Sequence, residues 1–165
     1  MRKQLLPFVA VGIVIAGLMV AFTLFVQRGA HLELKGSILK VRTLSVEEAS
    51  TIAVLDFRFV NPSDYLFIVR TVAVSMEDRQ ERLFEGAVVS DVDAQRLFQY
   101  YPLLGQRYNE TLLMKTRIAP RQSMDRMLAV RFEVSEKQFQ ERERLTIRVE
   151  DVDGTVSEIV EQQVK

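Results

Sequence analysis

Hydrophobic and polar positions divide the chain into two unlike parts. From Leu5 to Val26 no residue is charged and Thr23 is the only polar one. From His31 onward apolar and polar residues alternate with period two over many stretches, the mark of strands with one buried face. Leu32 to Leu44 reads as a long first strand in which Gly36 permits a bend or bulge. Thr51 to Val60 places Ala53, Leu55, Phe57 and Phe59 on one face, with Asp56 and Arg58 on the other. Asn61-Pro62-Ser63-Asp64 is a turn by composition. Tyr65 to Met76 then sets Leu66, Ile68, Val72, Val74 and Met76 inward, with Arg70 breaking the pattern.

Leu83 to Val89 predicts a short strand, and Ser90 followed by Asp91 and Asp93 predicts a capped helix to Gln99. Tyr100-Tyr101-Pro102 ends that helix. Glu110 to Ile118 is the next expected strand. In Arg126 to Val134, Leu128, Val130, Phe132 and Val134 point in, and Met127, Ala129, Arg131 and Glu133 point out. Ser135 to Gln138 predicts a second capped helical turn, and Leu145 to Val149 with Thr155 to Val160 form a hairpin about Asp153-Gly154. Strands, two short helices and no βαβ rhythm predict a mainly β fold. The expectation is an immunoglobulin/fibronectin-like antiparallel β-sandwich over residues 29–165.

The 22 residues from Leu5 to Val26 would span about 33 Å as a helix, close to the roughly 30 Å hydrocarbon core of a bilayer. One N-terminal transmembrane helix is therefore expected, with residues 1–28 as anchor and short cytoplasmic tip. Arg2 and Lys3 place that tip in the cytoplasm, and the domain then lies on the periplasmic or extracellular side of the inner (plasma) membrane. A cleaved signal peptide would have a shorter apolar region followed by small residues, whereas Gln27-Arg28-Gly29-Ala30 follows here.

Composition narrows the chemistry. The chain has no cysteine, one histidine, and 22 basic against 22 acidic residues. No cysteine means no disulfide scaffold, thiolate metal site or thiol catalysis. Balanced charge leaves no footprint for nucleic acid. Setting aside Arg2, Lys3 and Arg28 leaves 19 basic and 22 acidic groups from residue 30 onward, a net of −3. No cofactor is expected.

His31 lacks any nominated nucleophile or orienting acid nearby in sequence, so an interfacial polar role is expected. Glu150-Asp151-Val152-Asp153-Gly154 has bunched acids, and Glu158 follows the glycine by four residues rather than six. It reads as a tight turn instead of a calcium loop. Asp91 and Asp93 read as helix-start acids. The most unusual segment is Tyr100 to Tyr108. Tyr100, Tyr101, Leu103, Leu104, Arg107 and Tyr108 are candidate partner-binding residues, because Tyr and Arg anchor interfaces. The alternative is that they close one end of the sandwich.

Phe59-Val60-Asn61-Pro62-Ser63, the hydrophobic strand after it, and Gly86 in Leu83-Phe84-Glu85-Gly86 stand in an order that resembles the late-embryogenesis-abundant group 2 family (the LEA14-like, or water-stress and hypersensitive-response, domain). The resemblance covers residues 32–90. It departs in Leu66-Phe67-Ile68, which lacks the family's Ile-Pro-type step, and in the longer excursion from Asp91 to Tyr108. It implies a fibronectin-like sandwich, often membrane-anchored and associated with desiccation or stress tolerance, with no catalytic residues to transfer. The expected function is a membrane-anchored, non-enzymatic binding or stress-protection protein of the cell envelope. It contacts the lipid bilayer through residues 5–26. A structural subunit of an envelope complex, or a periplasmic carrier of an apolar ligand between the two sheets, are the alternatives.

Overall fold

The computed structural model describes residues 16–21 and 33–161. The chain divides into two compact units, Met1–Leu32 and Glu33–Lys165. In the first, residues 16–21 are helical (α1). Among the described residues no helix is long and apolar enough to cross a membrane. The expected span 5–26 lies mostly outside them, as do His31 and the Gln27 to Ala30 stretch.

The second unit is a curled antiparallel sheet with few helices. Its strands are β1 (Lys35–Glu47), β2 (Ser50–Val60), β3 (Phe67–Glu77), β4 (Leu83–Val88), β5 (Arg117–Ile118), β6 (Ser123–Phe132), β7 (Arg144–Asp151) and β8 (Val156–Val160). They pair in the order β1-β2-β6-β4-β3-β7-β8, with β5 beside β3. The sheet is continuous because β4 changes partner. Leu83 to Gly86 pair with β3, whereas Ala87 and Val88 pair with β6. The curl brings the two outer strands together, where the Leu34 N–H donates to Ser157 Oγ at 2.8 Å.

Ala53, Leu55, Phe57 and Phe59 of β2 and Leu128, Val130 and Phe132 of β6 meet Val74, Met76, Leu145, Ile147 and Ile159 across the core. The inner faces expected for β2 and β6 are those observed. Helix α3 (Glu136–Gln140), capped by Ser135, drops Phe139 into one end of this core, its ring centroid 5.2 Å from that of Phe132. Gly86 permits β4 to cross here. A Cβ on it would sit 2.3 Å from Val130 Cγ1 and 2.7 Å from the Phe132 ring.

Four expectations need correction. In β3 the inward residues are Phe67 and Val69, then Val74 and Met76, while Leu66 is exposed and Ile68 half-buried. A bulge at Arg70 shifts the register against β7 between Val69 and Thr71. One extra residue reverses which parity faces the core. Glu110 to Ile118 is not one strand: Thr111 makes an isolated bridge to Met127, and only Arg117 and Ile118 pair with β3. Gly36 is not a bulge of β1, whose register against β2 shifts between Ile38 and Lys40 and between Ser45 and Glu47. Gly36 instead allows close approach, since a Cβ there would lie 2.5 Å from the Arg58 carbonyl oxygen. Finally, Met127 and Ala129, expected outside, are fully buried. A second apolar layer covers the outer face of β6.

Candidate binding surface

That second layer comes from the excursion between β4 and β5. Helix α2 (Asp91–Tyr100) starts at Ser90, whose Oγ accepts the Asp93 N–H and donates to Asp93 Oδ2 at 2.7 Å. The acids at 91 and 93 therefore serve the helix start, as their position predicts. Tyr101 leads into a 3-10 turn, Pro102–Leu104, which ends on Gly105 at φ +73°. Ala94 and Leu104 pack on Val54, Met127 and Ala129, with Leu44, Val89, Leu97 and Phe98 around them.

Apolar contact alone does not hold this layer. Arg42 of β1, only 10% exposed, pairs with Asp56 of β2 at 2.7 Å. Its other terminal nitrogen donates to the carbonyls of Leu104 at 2.6 Å and Gln106 at 2.8 Å. The guanidinium lies over the rings of Phe98 and Tyr108, 5.3 Å from each centroid. Asn109 donates to the remaining oxygen of Asp56 at 2.9 Å. Five of these contacts tie the excursion to the sheet through one charge pair. Buried arginine suits the task because its planar fork can serve a carboxylate, two carbonyls and two ring faces together.

A second pair fixes the other side of the excursion. Arg107 donates to Asp91 Oδ1 at 2.7 Å and to Thr111 Oγ1 at 3.2 Å, and Gln95 reaches Asp91 Oδ2 at 2.9 Å. The Thr111 hydroxyl holds the Asp91 carboxyl below the usual carboxylate range; burial opposes this, and Arg107 and Gln95 reinforce it.

The six candidate residues thus fall into two sets. Leu104 is 1% exposed and belongs to the second apolar layer, and Arg107 is occupied in its ion pair. Tyr100, Leu103 and Tyr108 are turned out, Leu103 at 92% exposure, with Tyr101 less so. Lys40 stands over Tyr108 at 5.4 Å. Nothing in the sequence pattern joins Arg42, Asp56 and Asn109 to one another. Asp56 was placed correctly on the outer face of β2, but its partner lies on a different strand, and only the register reveals it.

Beside this surface an open apolar cleft of about 440 Å³ runs between Thr71 and Val72 of β3, Val88 to Asp91, and Thr111 to Met114. It opens where β4 leaves β3 for β6. A second open groove, about 360 Å³, crosses the outer face of β3, β4 and β7 and carries both charge signs, including Arg144, Arg148, Glu85 and Glu158. Among the described residues no group of three or more His, Asp or Glu is placed to hold a metal ion. Glu150 and Asp151 end β7, and Val152 to Gly154 make the turn: Asp151 Oδ1 accepts the N–H groups of Ile68 and Val152, and Gly154 adopts φ +91°.

Asn61 is fully buried at the β2–β3 corner. Its amide donates to the Tyr65 carbonyl at 2.7 Å and its Oδ1 accepts from the Ser63 N–H and hydroxyl. The corner reading of Asn61-Pro62 is the observed one. No family model, curated protein or solved structure matches this chain.

Proposed function

We propose that this is a membrane-anchored, non-enzymatic β-sandwich protein of the cell envelope whose outer α2–Tyr108 surface binds a partner. The observation that carries the reading is the way that surface is built. A nearly buried Arg42–Asp56 pair and a capped helix are spent on holding Tyr100, Leu103 and Tyr108 in water. Exposed aromatic and leucine side chains on a preordered scaffold are suited to anchor an interface, because little side-chain and loop entropy is left to lose on binding. The uncharged run 5–26 after Arg2 and Lys3 supports the anchor and its N-in orientation. The change of sheet partner by β4 and the core between the facing strands support the immunoglobulin/fibronectin-like class. The buried Asn61 corner and the space-forced Gly86 give physical reasons for the residues that resemble the late-embryogenesis-abundant group 2 family, and a stress-protection role follows from that resemblance.

A structural subunit of an envelope complex would dock through the same surface. The carrier alternative gains a specific place from the apolar cleft at Val72, Val88 and Leu112, rather than from the space between facing strands, which Phe57, Phe59, Phe132 and Phe139 fill. A photoreactive residue at Leu103 or Tyr108 in intact membranes tests the binding reading. One dominant cross-linked species, absent when the photoreactive residue stands at Gln80, is expected. A pattern no different from that at Gln80 contradicts it.

A further inference from the structure

The two ends of the sheet differ in what they show to solvent. At one end lie the start of β1, the Asn61 to Leu66 corner, the Ala119 to Gln122 turn and the β7–β8 hairpin turn. This end exposes Tyr65 at 70%, Leu66 at 47% and Val152 at 55%. Its residues 33–35, 61–66, 117–123 and 151–155 contain four acidic and three basic side chains. The exposed Asp64 and Arg121 among them pair with each other at 3.0 Å. The opposite end, residues 46–48, 77–82 and 133–144 with Glu161, contains ten acidic and five basic side chains. The acidic end also exposes Val46 at 40% and Leu83 at 64%, so the two ends differ in charge: one is close to neutral and the other about five charges negative.

The chain enters the domain at the neutral end. Lys35 pairs with Val60, and Leu34 is held by Ser157. Only residues 27–32 separate Glu33 from the uncharged run. Six residues reach at most about 20 Å fully extended, and the headgroup layer takes up roughly 5–7 Å of that. We infer that the end carrying Tyr65, Leu66 and Val152 rests in the headgroup layer of the bilayer, with the acidic end directed away from it. The inference rests on the anchoring reading above. Tyrosine and short apolar side chains suit that layer, where one part of a ring is apolar and the other wet. Anionic headgroups would repel the acidic end and leave the neutral end free to approach.

Because the chain has no cysteine, Tyr65→Cys, Val152→Cys and Gln80→Cys each give one labelling site in the full chain. All three positions are exposed, so folding is not at stake. Each variant is labelled with an environment-sensitive fluorophore and reconstituted in phosphatidylcholine–phosphatidylglycerol vesicles carrying a spin-labelled lipid. At positions 65 and 152 the expected result is blue-shifted emission with lipid quenching several-fold above that at position 80. Equal, solvent-like emission at all three sites, in chains that stay with the vesicles through alkaline carbonate, overturns the inference and leaves the anchor standing. Shielding from aqueous iodide without lipid quenching also overturns it, by showing a protein cover such as a second copy. Release of the chain by carbonate removes the anchoring reading itself.

Discussion

β2 and β6 carry apolar residues on both faces, but the two faces are stabilised by different means. On the inner face Leu55, Phe57, Leu128 and Phe132 pack against other strands. On the outer face Val54, Met127 and Ala129 meet Ala94, Leu104 and their half-buried neighbours; Arg42 and Asp56 tie the covering layer to the sheet, and Asp91 and Arg107 brace it from within. The inner layer depends on volume and shape. The outer layer depends on a few charged hydrogen bonds whose loss would free a whole segment.

The sharpest way to separate the two layers is to remove one support from each. Phe132→Ala should cost about 3–5 kcal/mol, the range for a large buried aromatic, and most of a small domain's stability would go with it. Denaturant titration should show a single transition at much lower midpoint. Asp56→Ala should cost about 3 kcal/mol, because Arg42 would be left nearly buried without its carboxylate. The double variant Arg42→Met with Asp56→Leu removes both charges at once but also the bonds to the Leu104 and Gln106 carbonyls, so it should recover only part of that loss. If Asp56→Ala instead behaved like an ordinary surface change, within about 0.5 kcal/mol, the contrast between the layers would fail.

A smaller effect probes the seam between them. Gly86→Ala forces a methyl group toward Val130 and the Phe132 ring, and about 1–3 kcal/mol of overpacking is expected, read as a lower thermal midpoint. The smallest effect concerns the second ion pair. The Asp91 carboxyl is held below its ordinary value of about 3.9. Its contribution is therefore complete above that pH and is lost as pH falls through the lower folded value. Wild type should exceed Asp91→Asn in stability at neutral pH, and the gap should close on acidification. A gap independent of pH would show that the ion pair contributes nothing.

The legible parts of the sequence were those decided by local pattern. Inner positions of β2 and β6, the Ser90 and Ser135 caps, the Asn61 corner and the Asp153-Gly154 turn all follow from spacing and residue chemistry. Arg70 did disturb the alternation of β3, but a charged residue in a strand does not announce whether it faces water or marks an inserted residue. Here it marked a bulge, and the parity reversed. Strand alternation assigns Met127 and Ala129 outward because it has no information about a cover supplied from 91–104, far away in sequence. The exposed part of the candidate surface was visible as an odd run of tyrosines. Its support at Arg42 and Asp56 was not, because two charged residues on different strands acquire meaning only once the sheet is paired.

Native-state hydrogen exchange of the excursion tests the central claim, that this outer surface is a preordered platform. The N–H groups of Ala94, Tyr101, Leu104 and Gly105 bond to Ser90, Leu97, Tyr101 and Pro102. In the full chain they should be protected well above unstructured loop rates. In Asp56→Ala all four should lose protection together while the amides of β2 and β6 remain slow. Exchange of these four at unprotected rates in the wild-type chain would contradict the account.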